Sequence, residues 1–174
     1  MNASTSFHLK KATIADATVL ADIGAATFYH TFRPYNTEED MQLYINNTYL
    51  PAKIAQHLTN PDIHYYLCLK NEQAVGYIKL IHHNSFEGLD GRTIELEKIY
   101  VLQQYFGTHA GKLLMEQAIT HSKQQGFNIL FLGVWKENER AVNFYKKNNF
   151  RVFAHRNFQL GQRLCEDYMM RLDL

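Results

Sequence analysis

Two carboxylates on one strand, and a glycine-bearing loop behind it, are the groups best placed to do chemistry. Ile94 to Leu102 reads as a strand that alternates in its first half and turns apolar towards its end. Glu95 and Glu97 stand two residues apart within it. Residues two apart share a strand face, so both carboxylates are expected to project the same way, along with Ile99 and Val101. Like charges held close can raise one pKa, which suits a general base, and both attract a cation. The loop Gln103 to Gly111 then carries Gly107 and Gly111 and runs into a helix opening at Lys112. The first amides of a helix lack intrahelical partners, and the helix dipole adds partial positive charge there. Such a junction binds anions, and a pyrophosphate is the expected ligand.

The rest of the chain supplies elements to hold that unit. Ser6 to Lys11 alternates as a first strand. Thr13-Ile14-Ala15-Asp16 resembles a capping box, with Asp16 in the place of Glu or Gln, and opens a helix bearing Ala17, Leu20, Ala21, Gly24 and Phe28 on one face. Arg33 to Asn36 breaks it, Thr37 to Asp40 starts a second helix, and Pro51 suits the first turn of a third, over Ala52 to Leu58. Strands follow at Ile63 to Lys70 and Ala74 to His82, with a turn at Asn71-Glu72-Gln73. Asn84 to Arg92 reads as an exposed loop. Gly126 fits a helix cap, Phe127 to Val134 a buried central strand, and Glu137 to Lys147 a helix. Phe150 to Gln159 and Arg163 to Asp173 close the chain as a strand pair. Hairpins mixed with helical crossovers imply an α/β fold with a mixed sheet and helices on both faces.

Composition narrows the classes. The 174 residues suit one domain, 1–174, and are 46% hydrophobic. A net charge of +1 gives no electrostatic case for nucleic acid or an anionic membrane. Cys68 and Cys165 lie in apolar runs and read as buried free thiols. Met1 to Lys11 lacks the apolar core of a signal peptide, and no run reaches the ~20 residues of a membrane span, so a cytoplasmic protein is expected.

The Glu95-Leu96-x-x-Ile99-Tyr100-Val101 strand with its glycine loop, and Asn138-x-x-Ala141-x-x-Phe144-Tyr145 followed by Asn149-Phe150, resemble the GNAT N-acetyltransferases along essentially the whole chain. Thr27-Phe28-x-x-Thr31-Phe32, Leu96 to Tyr100 and Leu132 to Lys136 with Asn138 resemble the PaiA-type spermidine/spermine branch. The resemblance implies a mixed, mostly antiparallel, twisted sheet of about seven strands. It implies acetyl-CoA as cosubstrate, with no metal, and a strand that splays from Leu130–Val134 to leave a cleft. Phe106, Gly107, Thr108, His109, Ala110, Gly111 and Lys112 would cradle the pyrophosphate by backbone donors. Ile99, Tyr100 and Val101 would pair with the pantetheine amides, Asn138 would lie near the coenzyme, and Tyr145 would protonate the leaving thiolate. Glu95 and Glu97 are the candidates for deprotonating the amine, through water.

The family loop reads Gln/Arg-x-x-Gly-x-Gly/Ala, and this chain has Phe106 and His109 at its first and fourth positions. The amides can still point inward if His109 avoids positive φ. The expected acceptor is a primary amine of a small molecule, polyamines first, attacked directly in a ternary complex. The alternatives are a protein lysine or amino terminus, or a coenzyme A-binding regulatory module of little activity. A homodimer is compatible with the family.

Nine histidines offer no His-x-x-x-His spacing and no His/Cys cluster, so surface or satisfied histidines are expected and no metal site. His82 and His83, being adjacent, are expected to face opposite ways on a strand. Trp135 is expected to pack over the cleft. No serine nucleophile elbow, Walker loop or dinucleotide Gly-x-Gly-x-x-Gly is present.

Overall fold

A computed structural model describes residues 6–174. Seven strands form one sheet: β1 (Phe7–Lys11), β2 (Ile63–Lys70), β3 (Gln73–His82), β4 (Thr93–Val101), β5 (Ile129–Trp135), β6 (Arg151–Leu160) and β7 (Arg163–Asp173). Their spatial order is β1-β2-β3-β4-β5-β7-β6, and only β4 and β5 run parallel. The helices are α1 (Ala17–Phe32), α2 (Glu38–Thr48), α3 (Pro51–Thr59), α4 (Ala110–Gln124) and α5 (Glu139–Lys147). No helix among the described residues is long and apolar enough to cross a membrane.

The local signals explain most boundaries. Thr13 donates its amide to Asp16 Oδ2 at 2.8 Å, so the capping box forms, but around a 3-10 turn from which α1 continues. Thr37 Oγ1 accepts from the Asp40 amide at 3.1 Å and starts α2. Pro51 opens α3 where its missing N–H costs nothing. The β2–β3 turn is tighter than expected: Asn71 and Glu72 take φ of 50° and 61°, and Gln73 already belongs to β3.

Both sheet faces are covered. One buries Ile78, Leu80, Ile94, Leu96, Leu130 and Leu132 against Leu114, Met115 and Ala118 of α4 and Tyr145 of α5. On the other, Leu20, Ala21 and Ile23 of α1 and Ile54 of α3 pack on Tyr65, Leu67 and Tyr77. An aromatic group from the helical segment, Phe28, Phe32, Tyr44 and Tyr49, meets Trp135 and Leu160 at the end of the sheet. Burial of these apolar groups is the main stabilising term of the fold. Cys68 and Cys165 are buried free thiols, as expected.

Expectations for β4, for α4 and for the histidines are corrected. Leu80 pairs with Leu96 but Lys79 with Lys98, so Glu97 is an extra residue, a β-bulge. The bulge resets the alternation. Ile94, Leu96, Ile99 and Val101 all meet the α4 face, and Glu95 does not share a face with Ile99 and Val101. The helix α4 begins at Ala110, two residues before Lys112, and so takes Gly111 out of the loop. Finally, the histidines do form a cluster: one nitrogen each of His64, His82 and His121 lies within 4.8 Å of the others. Sequence spacing could not show this, because β2, β3 and α4 each contribute one ring. His83 follows β3 with φ of 57°, so its ring does not oppose that of His82; both pack on Phe127. Burial and the neighbouring rings push His64 and His121 down to about 4 and lower His82 as well.

Candidate active site

The cleft arises where the one parallel pairing stops. β4 and β5 are in register at Thr93–Ile129, Ile94–Leu130 and Glu95–Phe131, and no further. Beyond that point β4 stays paired to β3 through Val101, and β5 stays paired to β7 through Trp135. The gap between them is lined by Leu96 to Val101 on one side and Gly133 to Trp135 on the other. Asn138, Arg140, Phe144 and Tyr145 of the α5 region close one wall, and Thr27, Thr31 and Phe32 of α1 close the opposite one. The edge of Ile99, Tyr100 and Val101 that faces away from β3 therefore presents backbone groups to the cleft, as a sheet edge does.

The loop and α4 form the second part. After Val101 the chain makes a 3-10 turn at Gln103–Tyr105 and reaches Gly107, whose φ of 73° favours glycine. His109 is the residue before α4 and has φ of −69°, so the condition for inward-pointing amides is met. A surface depression lined by Gly107, Thr108, Gly111, Lys112, Arg140, Phe144 and Lys147 lies over this junction. Ala110, wholly buried, anchors the first turn. Phe106 supplies no polar group, but Arg140 sets its guanidinium 3.6 Å from the Phe106 ring centroid. Arg140 is a residue that the sequence reading missed: it stands 34 positions from Phe106, and only the fold joins them.

Tyr145 lies in the cleft wall, 8% exposed, with rings of Phe144 and Phe150 against it. Burial raises its pKa, so its phenol stays protonated through neutral pH. Asn138 caps α5, accepting the Ala141 amide at 3.2 Å, and also lines the cleft. Trp135 is buried, with Phe32 and Tyr35 rings at 5.3 and 4.8 Å. Thr27 Oγ1 is buried on the lining without a hydrogen-bond partner.

The two carboxylates separate. Glu97, at the bulge, borders the cleft; Glu95 lies behind its wall, hydrogen-bonded by Asn84 Nδ2. Burial raises the pKa of Glu95, and the Glu97 charge adds to this against the Asn84 hydrogen bond. Burial acts on Glu97 too, but Lys98 and Lys79 outweigh it and hold the carboxyl below its ordinary range. Lys79 forms the closer ion pair, and Lys98 Nζ lies 3.8 Å away. Lys98 is 16% exposed, and its partial burial opposes its charge, yet Tyr100 and Glu97 leave its pKa raised. Tyr49 and Tyr100 join hydroxyls at 3.1 Å beside it.

Comparison with known proteins places this architecture. An uncharacterized N-acetyltransferase of Mycobacterium tuberculosis is 32% identical over 161 residues, covering 92% of this chain and 99% of the relative. A protein of Thermoplasma acidophilum named spermidine N(1)-acetyltransferase is 24% identical over 151 residues, covering 84% and 89%. The crystal structure of PaiA N-acetyltransferase from T. acidophilum, in complex with coenzyme A, superposes with a TM-score of 0.79 at 22% identity, covering 97% and 99%. Residues 25–150 match the Acetyltransferase (GNAT) family. The parted strands, the loop before α4 and the tyrosine of α5 thus stand in a chain that belongs to the GNAT family of acetyltransferases, whose cosubstrate is acetyl-CoA.

Proposed function

We propose that the protein transfers the acetyl group of acetyl-CoA to a primary amine of a small molecule, polyamines first, by direct attack in a ternary complex. The observation that carries this reading is the parting of β4 from β5 after Glu95, with Tyr145 in the wall of the gap. The free edge of Ile99 to Val101 takes the pantetheine amides as a further strand would. The pyrophosphate rests on the amides from Phe106 to Lys112, and Arg140 supplies the cation that Phe106 does not. Asn138 borders the same groove. Residues 1–174 act in this reading as one catalytic domain.

The reaction follows from these placements. The neutral amine attacks the thioester carbonyl carbon, the C–S bond breaks, Tyr145 protonates the departing thiolate, and the proton that the acylated nitrogen sheds restores the Tyr145 phenol. Before the attack, the acceptor's ammonium proton leaves through water towards Glu97 at the cleft or Glu95 behind its wall. On the acceptor side, Phe32 and Trp135 offer apolar surface to a methylene chain, and the unpartnered Thr27 hydroxyl offers a hydrogen bond. A relative named spermidine N(1)-acetyltransferase supports the polyamine choice.

The test is thiol release from acetyl-CoA by purified protein against spermidine, spermine, simple monoamines and lysine peptides. Polyamine turnover at least tenfold above the others is the expected result. Preference for peptides moves the acceptor to proteins. Calorimetric coenzyme binding without release by any amine leaves a coenzyme-binding module and overturns the enzyme reading.

A further inference from the structure

The cluster of His64, His82 and His121 stands apart from the cleft. His121 lies ten residues beyond Gly111 on α4, roughly 15 Å along the helix axis. Its ring centroid is 4.8 Å from that of His64 and 5.0 Å from that of His82, and His64 and His82 are 4.3 Å apart. The planes are tilted by 37–49°, so the rings converge without stacking flat.

The polar atoms of this cluster are incompletely paired. His121 Nδ1 is 3.0 Å from the Tyr66 hydroxyl, and His121 Nε2 is 2.7 Å from His82 Nε2. One proton can serve that second contact, whichever ring carries it. His64 Nε2 is buried and has no hydrogen-bond partner. A buried lone pair without a donor costs free energy, and His64 Nε2 stands in that state beside two nitrogens that share one contact, so the three converge on a space that suits a ligand of all of them.

We infer that His64, His82 and His121 form a binding site for a divalent transition-metal ion, best suited to zinc. Imidazole nitrogens suit zinc, and three histidines leave a fourth position for water or a carboxylate. Asp62 lies beside the cluster, within 4.8 Å of His82 and His83 ligand atoms, and its carbonyl accepts the His82 amide at 2.8 Å. Tyr66 fixes His121 by its other nitrogen, the arrangement by which outer groups orient metal-binding histidines. Tetrahedral zinc would part the His82 and His121 nitrogens to about 3.3 Å, a small adjustment of two side chains. The ion would pin the start of β2, the end of β3 and the last turns of α4 to one another. Its role is structural, since nothing of the cleft reaches it.

The experiment uses chelator-treated, tag-free protein titrated with zinc and, separately, with cobalt. The expected result is one equivalent bound with a Kd of micromolar or tighter and the visible spectrum of tetrahedral cobalt. With free zinc about a hundredfold above Kd, the melting midpoint should rise by about 5–10 °C. His64→Gln and His82→Gln should each weaken zinc binding at least ~10–100-fold, and Tyr66→Phe about tenfold. His155→Gln, at an exposed ring paired with Glu166, should leave it unchanged. Circular dichroism of each variant confirms folding, and His64, partly exposed, is the gentler replacement. The inference is overturned if no stoichiometric binding occurs below about 100 µM, or if zinc binds equally well to both histidine variants.

Discussion

The two halves of β4 behave as different pieces of structure. Ile94 and Glu95 are paired on both sides, to β3 and to β5, and with Thr93, paired to β5, they are buried. Lys98 to Val101 is paired to β3 alone and only half-buried. The bulge at Glu97 divides them and turns the second half's alternation over. In the closed half, burial decides what a side chain is, and it keeps Glu95 away from the cleft. In the open half, the unused backbone edge is the ligand-ready feature, and side chains are held by charge partners. The proposed function therefore places the chemistry where pairing stops, and the substitutions that matter most should be those facing the open half.

Tyr145→Phe tests that most severely. The ring stays and only the phenolic oxygen leaves, so packing with Phe144 and Phe150 should persist. A positioned proton donor contributes about 10²-fold or more, so kcat should fall by at least that while coenzyme affinity holds. Steady-state kinetics with calorimetric titration separates the two. Loss of coenzyme affinity at unchanged kcat would make Tyr145 a packing residue and empty the open half of its chemistry.

Glu97→Gln should act chiefly on stability. It leaves Lys79 and Lys98, 6% and 16% exposed, without their counterion. Breaking a buried pair costs several kcal/mol, and Glu97 is itself 30% exposed, so about 2 kcal/mol is expected. For a chain of this length that lowers the melting midpoint by about 4–8 °C. The carboxyl has a lowered pKa in the fold, so its contribution is present above the ordinary value of 4.5 and is lost as pH falls through the lowered one. The deficit of the variant should shrink under acid. A deficit independent of pH would mean that the loss is one of shape.

Arg140→Ala probes how much of the cofactor side rests on side chains. If backbone amides carry most of the pyrophosphate, coenzyme affinity should drop about tenfold, the loss of one charge-assisted contact, with kcat preserved. The same distinction explains what was legible in the sequence. Strand, loop and helix before the cleft were readable because their periodicity and glycines are local. The place of Tyr145 and Asn138 on the cleft was readable because they sit in a motif. The bulge was not, since Leu96-Glu97-Lys98 contains no glycine or proline to mark it and arises from pairing with β3. Nor was the Arg140–Phe106 stack, or the convergence of His64, His82 and His121, since each joins residues distant along the chain.

Glu95→Gln is the smallest effect and the one with the opposite sign. In the closed half, burial raises the Glu95 pKa, so the fold prefers the protonated form. A raised pKa contributes stability that is fully present below the unfolded value near 4.5 and is lost as pH rises through the folded one. Glutamine does not titrate, has nearly the same shape, and its carbonyl can accept from Asn84 as the carboxylate does. The variant should match the parent below pH 4.5 and gain on it above, by under about 1 kcal/mol, as its second amide proton needs a partner. Melting curves across pH 4–8 would thus diverge in opposite senses for Glu95→Gln and Glu97→Gln. Activity adds the finer reading: if the amine's proton passes to Glu95, kcat/KM of Glu95→Gln falls at every pH even as stability rises. A variant that is both more stable and fully active would assign the proton to Glu97, on the open half alone.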